Sequence, residues 1–251
     1  MGRHGRGVHS AGGTVGARVT FTKVNSKVVN VDLNRSGPVV ARRGAMLFYT
    51  GDVRFAPHGV PGGAGSAPGL GGLAGMAGRM MQGEHESTML AQGNGTVHYG
   101  FRGLEIHVVD MSAGGELRVD ASRLLAHTAG LQSTVVSSGA AQAGGGGGGL
   151  LGALRGAATG AVTGTGMFTT QLSGYGAAVL LAHGGVFELR VGGPAPVIVD
   201  PQAFVAASGA VRTELKSSMS WRNVGRSGGE AMQLECTGQG IVYVQASEEK
   251  L

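Results

Sequence analysis

Apolar positions along this chain alternate with polar or small ones, and they do so in three stretches of nearly the same wording. These are VVARRGAMLFYTGDV at 39–53, LRVDASRLLAHTAGL at 117–131 and VIVDPQAFVAASGAV at 197–211. Val39 and Ala41, Leu117 and Val119, and Val197 and Val199 open each stretch two residues apart. That period puts both side chains of a pair on one face of a β-strand. A turn follows at Arg42-Arg43-Gly44, Asp120-Ala121-Ser122 and Asp200-Pro201-Gln202. Asp accepts from nearby backbone N–H groups and Pro presets φ, so Asp-Pro reads as a type I turn. Met46, Leu124 and Phe204 begin the next strand. A second small-residue turn is expected at Thr50-Gly51-Asp52, Thr128-Ala129-Gly130 and Ser208-Gly209-Ala210, before Val53, Leu131 and Val211 restart the alternation.

Each stretch has a second half. Gly93-Asn94-Gly95, Gly174-Tyr175-Gly176 and Gly238-Gln239-Gly240 stand between short apolar runs, a pattern that predicts three hairpins. The expectation is therefore an all-β fold: a single closed β body of three similar sectors, each a meander, a loop and a hairpin. The sectors span about 38–100, 114–183 and 194–246 within one domain at 18–247. Residues 1–17 form a flexible basic arm and 248–251 a tail. Closing the sheet would hide the strand edges that short strands expose.

Composition sharpens this picture. Fifty of the 251 residues are Gly, yet there is no Gly-X-Y period and only seven are Pro, which excludes collagen and fits turn punctuation. An apolar share of 42% with 14% charge fits a packed core. The net charge of +5 is local: residues 1–31 hold Arg3, Arg6, Arg18, Lys23 and Lys27 and no acid, while the other residues balance. Nucleic acid is thus not an expected partner of the body, because tracking phosphates takes clustered cations. Cys236, the sole cysteine, lies in the strand-like run LECTGQGIVYV and reads as a small buried residue. The absence of disulfides fits a reducing compartment. MGRHGRGVHSAGG lacks an apolar signal core, and no run reaches the ~18 apolar residues of a membrane span. A cytoplasmic location is expected, with membrane association as the alternative.

No catalytic, cofactor or metal site is expected. The Gly-x-Gly runs lie between strands, whereas a dinucleotide loop joins a strand to a helix. Glu84-His85-Glu86 is the densest set of metal-ligand types, but neighbouring strand residues point to opposite faces, and a solvated loop is the simpler reading. Asp120 and Asp200 occupy matching places and suggest paired carboxylates; Arg42 fills the third such place, and the turn accounts for both acids. Ser10, Ser122 and Ser208 lack a Gly-x-Ser-x-Gly setting.

Two glycine-tethered apolar segments stand apart from the strands. One carries Leu70, Leu73 and Met76 leading to Arg79 and Met80; the other carries Leu150, Leu151 and Leu154 ahead of Arg155. Such segments suit a patch covered by another subunit or a bilayer, with the two Arg at its rim; the other reading folds them over their own sheet.

Three further features carry a resemblance: Ala41-Arg42-Arg43-Gly44-Ala45-Met46-Leu47, the Gly-Gly-Leu-Leu-Gly-Ala-Leu-Arg run at 148–155 ahead of Met167-Phe168, and Gly240-Ile241-Val242-Tyr243-Val244-Gln245. Over about residues 18–247 the chain resembles the altered-inheritance-of-mitochondria family (its member twenty-four), in its bacterial branch. The resemblance implies an all-β fold grouped with the tryptophan RNA-binding attenuation protein, and no established biochemical activity for bacterial members. The mitochondrial branch is linked to inner-membrane organisation. The chain departs from the family's Gly-Glu-x-Phe-Phe pattern, having Gly83-Glu84-His85-Glu86, Gly164-Thr165-Gly166-Met167-Phe168 and Ser227-Gly228-Gly229-Glu230 instead.

The functional expectation is a non-enzymatic β scaffold that self-associates as a trimer or larger, needs no cofactor, and makes contact through its Gly-Leu segments. The alternatives are a peripheral membrane organiser and an RNA- or small-ligand-binding module.

Overall fold

The structure, a computed structural model, describes residues 20–58, 88–137, 168–217 and 232–248. Within them the chain is all-β, as the alternation requires. The first strands are β1 (Phe21–Lys23), β2 (Val29–Asp32), β3 (Val39–Arg42), β4 (Met46–His58) and β5 (Thr88–Tyr99). Then come β6 (Glu105–Met111), β7 (Glu116–Asp120), β8 (Leu124–Thr128), β9 (Gln132–Ser137) and β10 (Phe168–Ser173). The last are β11 (Gly176–Ala182), β12 (Val186–Val191), β13 (Val197–Val199), β14 (Phe204–Ser217) and β15 (Met232–Gln245). A short α-helix, α1 (Leu33–Ser36), is capped by the Asp32 carboxylate, which accepts from Asn34 N–H.

All pairings are antiparallel. A nearly closed, barrel-like sheet runs β1-β2-β5-β3-β8-β11-β6, with β4 paired to β5. A second sheet runs β12-β15-β14-β7-β10-β9, with β13 paired to β15. Two joints tie the three parts of the chain together. In one, β3 meets β8 with Val39 opposite Thr128, Val40 opposite His127 and Ala41 opposite Ala126. In the other, β7 meets β14 with Leu117 opposite Ser208, Arg118 opposite Ala207 and Val119 opposite Ala206.

Each of three strand pairs skips one residue. The skips leave Leu47 unpaired between Met46 and Phe48 opposite β5, Leu125 between Leu124 and Ala126 opposite β11, and Val205 between Phe204 and Ala206 opposite β15. Such a bulge bends its strand and increases its twist.

The core follows the alternation. Phe21, Val29, Val31, Val39, Val97 and Leu125 belong to one buried cluster. Leu117, Val119, Leu172, Leu180 and Val205 belong to a second, and Val199, Val211, Cys236 and Val242 to a third. Ala91, Leu172 and Cys236 face Val39, Leu117 and Val197 across their sheets, and all three are fully buried.

Two local expectations are corrected. Gly93-Asn94-Gly95 and Gly238-Gln239-Gly240 are not hairpin turns; they lie inside the continuous strands β5 and β15, and Gly174-Tyr175 only separates β10 from β11. Likewise Thr50-Gly51-Asp52 and Ser208-Gly209-Ala210 run through β4 and β14, so that only Ala129-Gly130 turns the chain. The reason lies across the ribbon. Gly95 faces Gly51 and Gly240 faces Gly209. A Cβ on Gly95 would stand 2.1 Å from the Thr50 carbonyl oxygen, and one on Gly240 2.0 Å from that of Ser208. The glycines allow two long strands to bend together at close approach instead of reversing.

Candidate interaction surface

The turns between strands are built as their residues dictate. Asp120 Oδ1 accepts from Ser122 N–H at 2.9 Å and from its hydroxyl at 2.8 Å. Asp200 Oδ1 accepts from Gln202 N–H at 2.6 Å, and its carbonyl from Ala203 and Phe204 N–H. Both carboxylates are therefore engaged by their own turns.

Arg42, at the matching position, does something different. Its buried guanidinium reaches across the β3–β8 joint and donates to the carbonyls of Ala121 (3.2 Å), Ser122 (2.5 Å) and Leu124 (3.4 Å), and its central carbon lies over the Phe101 ring, 4.8 Å from the ring centroid. Arg123 is buried too, donating to Gln245 Oε1. That same oxygen accepts from His183 N–H, while Gln245 Nε2 donates to the Ser247 carbonyl at 2.7 Å. Burial lowers the Arg123 pKa and the nearby Asp120 opposes this. These cations tie backbone carbonyls and an amide together, so they stitch the body rather than await a ligand.

His127 lies inside the same joint, buried between Val40 of β3 and Ala178 of β11. Its Nδ1–H donates to the Thr128 carbonyl at 2.9 Å, and burial pulls its pKa down to about 4, so the ring is neutral near pH 7.

His107, Ser208 and Cys236 are likewise set by their surroundings. His107 Nε2 meets Glu188 Oε1 at 3.1 Å, linking β6 of the first sheet to β12 of the second. Burial lowers the His107 pKa, and Glu188 partly offsets it. Ser208 is hydrogen-bonded to Tyr243 rather than to an imidazole. The Cys236 thiol is pushed up to about 11, chiefly by burial, which leaves it protonated and unreactive. Among the described residues no group of three or more His, Cys, Asp or Glu converges as a metal site would need. Nor, among them, is any helix long and apolar enough to cross a membrane.

Leu70, Leu73, Met76, Arg79 and Met80, between β4 and β5, lie outside the described residues, as do Leu150, Leu151, Leu154 and Arg155, between β9 and β10. Glu84-His85-Glu86 also lies outside them.

Pattern reading passed over a different surface. Met46, Leu47, Phe48 and Tyr49 are all exposed at the start of β4, a strand paired on one side only, to β5, among the described residues. Phe48 stacks on His98 at 4.1 Å and Tyr49 meets Phe55 edge-on at 5.4 Å, so the row is ordered against its own strand pair. Ile198, on β13, is exposed as well. The signal was present in the sequence: MLFY is four consecutive large apolar residues where the other two stretches mix in small and polar ones.

Two antiparallel sheets closed on apolar clusters, with buried cations spent on the protein's own carbonyls, define an all-β protein whose most distinctive surface is an apolar strand edge. The chain belongs to the Mitochondrial biogenesis AIM24 family, whose model matches residues 20–247. It is also similar to a Streptococcus pyogenes protein known from an X-ray crystal structure, with a TM-score of 0.61 and 20% identity over 91% of this chain and 92% of that one. At that identity the likeness shows the fold. A comparison with curated proteins finds no match.

Proposed function

We propose that this protein is a non-enzymatic β scaffold that assembles from copies of itself. The supporting observation is the row Met46–Tyr49, four large apolar side chains exposed together on a half-paired strand. An apolar strand edge is a template for another strand, and leaving it bare invites aggregation. A protein built to assemble satisfies it with a partner. The Gly-Leu segments at 69–81 and 144–155 are the alternative contact for the same assembly.

The test is mass in solution. Sedimentation at micromolar concentration should give a multiple of the 25.1 kDa chain, three or more copies. A monomer would overturn the proposal. A membrane surface and RNA are the competing partners, the latter resting only on the fold grouping that the resemblance implies. Flotation of the protein with anionic liposomes, or salt-sensitive RNA retention that survives removal of residues 1–17, would replace the scaffold reading with one of these.

A further inference from the structure

Val39, Leu117 and Val197 stand 78 and 80 residues apart, and so do the bulged residues Leu47, Leu125 and Val205. The same offsets convert the β3–β8 joint into the β7–β14 joint residue for residue: Val39 opposite Thr128 becomes Leu117 opposite Ser208, and Ala41 opposite Ala126 becomes Val119 opposite Ala206. Applied once more, they pair Val197 with Thr50, Ile198 with Tyr49 and Val199 with Phe48. That third joint is not made among the described residues: within them β13 pairs with β15 alone and β4 with β5 alone, and the two lie in different sheets.

Each of its halves exposes side chains whose counterparts are better covered. Leu47 and Tyr49 are 51% and 44% exposed, whereas the corresponding Leu125 and His127 are 0% and 4%, and Val205 and Ala207 are 0% and 1%. On the other side Ile198 is 48% exposed, against 2% for Val40 and 28% for the side chain of Arg118.

We propose that the β4 edge of one copy pairs with the β13 edge of the next, completing between molecules the joint that is made twice within each. The proposal rests on the self-assembly reading and specifies its interface, register and partner: a second copy of this chain, joined head to tail. Two sets of backbone donors and acceptors left open by half-paired strands would be satisfied together, and the apolar row would be buried as Leu125 and Val205 already are. Such an interface uses two different surfaces, so each added copy leaves one of each free, and the array ends only by closing into a ring.

This asymmetry supplies the test. Ile198→Glu removes the β13 half and leaves the β4 half intact; Tyr49→Glu does the reverse. Both sites are exposed in the single chain, so neither change disturbs a core. A carboxylate at 198 also lacks the N–H groups with which Arg118, at the corresponding place, reaches the Val211 carbonyl. By light scattering, each variant alone should be a monomer. Mixed in equal amounts, they should form dimers and nothing larger, because only one competent joint is available per pair. Dimer formation also shows that both variants are folded. If the wild type is assembled and both variants keep its mass, the joint is wrong while self-assembly stands, with the Gly-Leu segments as the contact. If the wild type is a monomer, both proposals fall. Monomeric variants that do not combine on mixing would overturn the head-to-tail register.

Discussion

Acid should loosen this protein through one histidine. His127 is enclosed by β3, β8 and β11, facing Val40 and Ala178, and its proton is committed to the Thr128 carbonyl. Its ordinary pKa is near 6.5 and the buried ring holds about 4, chiefly because a charged imidazole there would lose its water; His58 lowers it further, and the Thr128 bond opposes both. The unfolded chain therefore binds a proton that the folded chain refuses between those two values. Folded stability is fully present above about pH 6.5 and falls as the pH drops toward 4. At about 1.4 kcal/mol per pH unit, the loss attributable to this ring is about 3 kcal/mol. The assay is urea unfolding at about pH 7, 5.5 and 4, at one protein concentration because assembly couples to stability. The comparison is with His127→Gln, which keeps a donor and cannot titrate. Carboxylates and His107 contribute to both proteins and drop out of the difference. The wild type should lose about 3 kcal/mol more than the variant over this range. Equal losses would show that His127 is hydrated or able to charge in place, and would refute the buried-joint argument.

Three further outcomes follow from the geometry. Gly95→Ala should cost about 3 kcal/mol or more by thermal or urea unfolding, because its Cβ would meet a backbone oxygen that cannot yield; Gly193→Ala, with nothing within 4 Å, should be close to neutral. Tyr99 buries its hydroxyl in the first core cluster with no hydrogen-bond partner among the described residues, and burial raises its pKa strongly. Tyr99→Phe should therefore leave the protein as stable or up to about 1 kcal/mol more stable, and a destabilisation of about 1 kcal/mol or more in the same unfolding assay would reveal a hidden partner. Cys236 should react with a thiol reagent near pH 8 only as fast as the protein unfolds, at least a hundredfold more slowly than in urea; rapid native labelling would contradict its burial and its pKa near 11.

Much of the architecture was written locally. Alternation at Val39/Ala41, Leu117/Val119 and Val197/Val199 marks strands because a pleated backbone sends neighbouring side chains to opposite faces. Asp120 and Asp200 specify their turns through bonds two residues long, and Cys236 shares its pattern with residues that can only be core. The fate of Gly-x-Gly was not legible in this way. Whether such a run reverses the chain or carries it onward depends on what lies opposite, and Gly51 and Gly209 are more than 25 residues from Gly95 and Gly240 in the chain. Arg42 and His127 were likewise opaque: Arg42 stood out only as the third residue at a turn position otherwise held by Asp, nothing in the pattern singled out His127, and the β3–β8 joint buries both. The sequence by itself determined the all-β class and the buried face of the strand that opens each stretch, because that information repeats every second residue. Only the tertiary structure decided which strands pair, where they bend and which edges stay open, because those depend on backbone contacts between segments far apart in the chain, and backbone groups are the same in every residue.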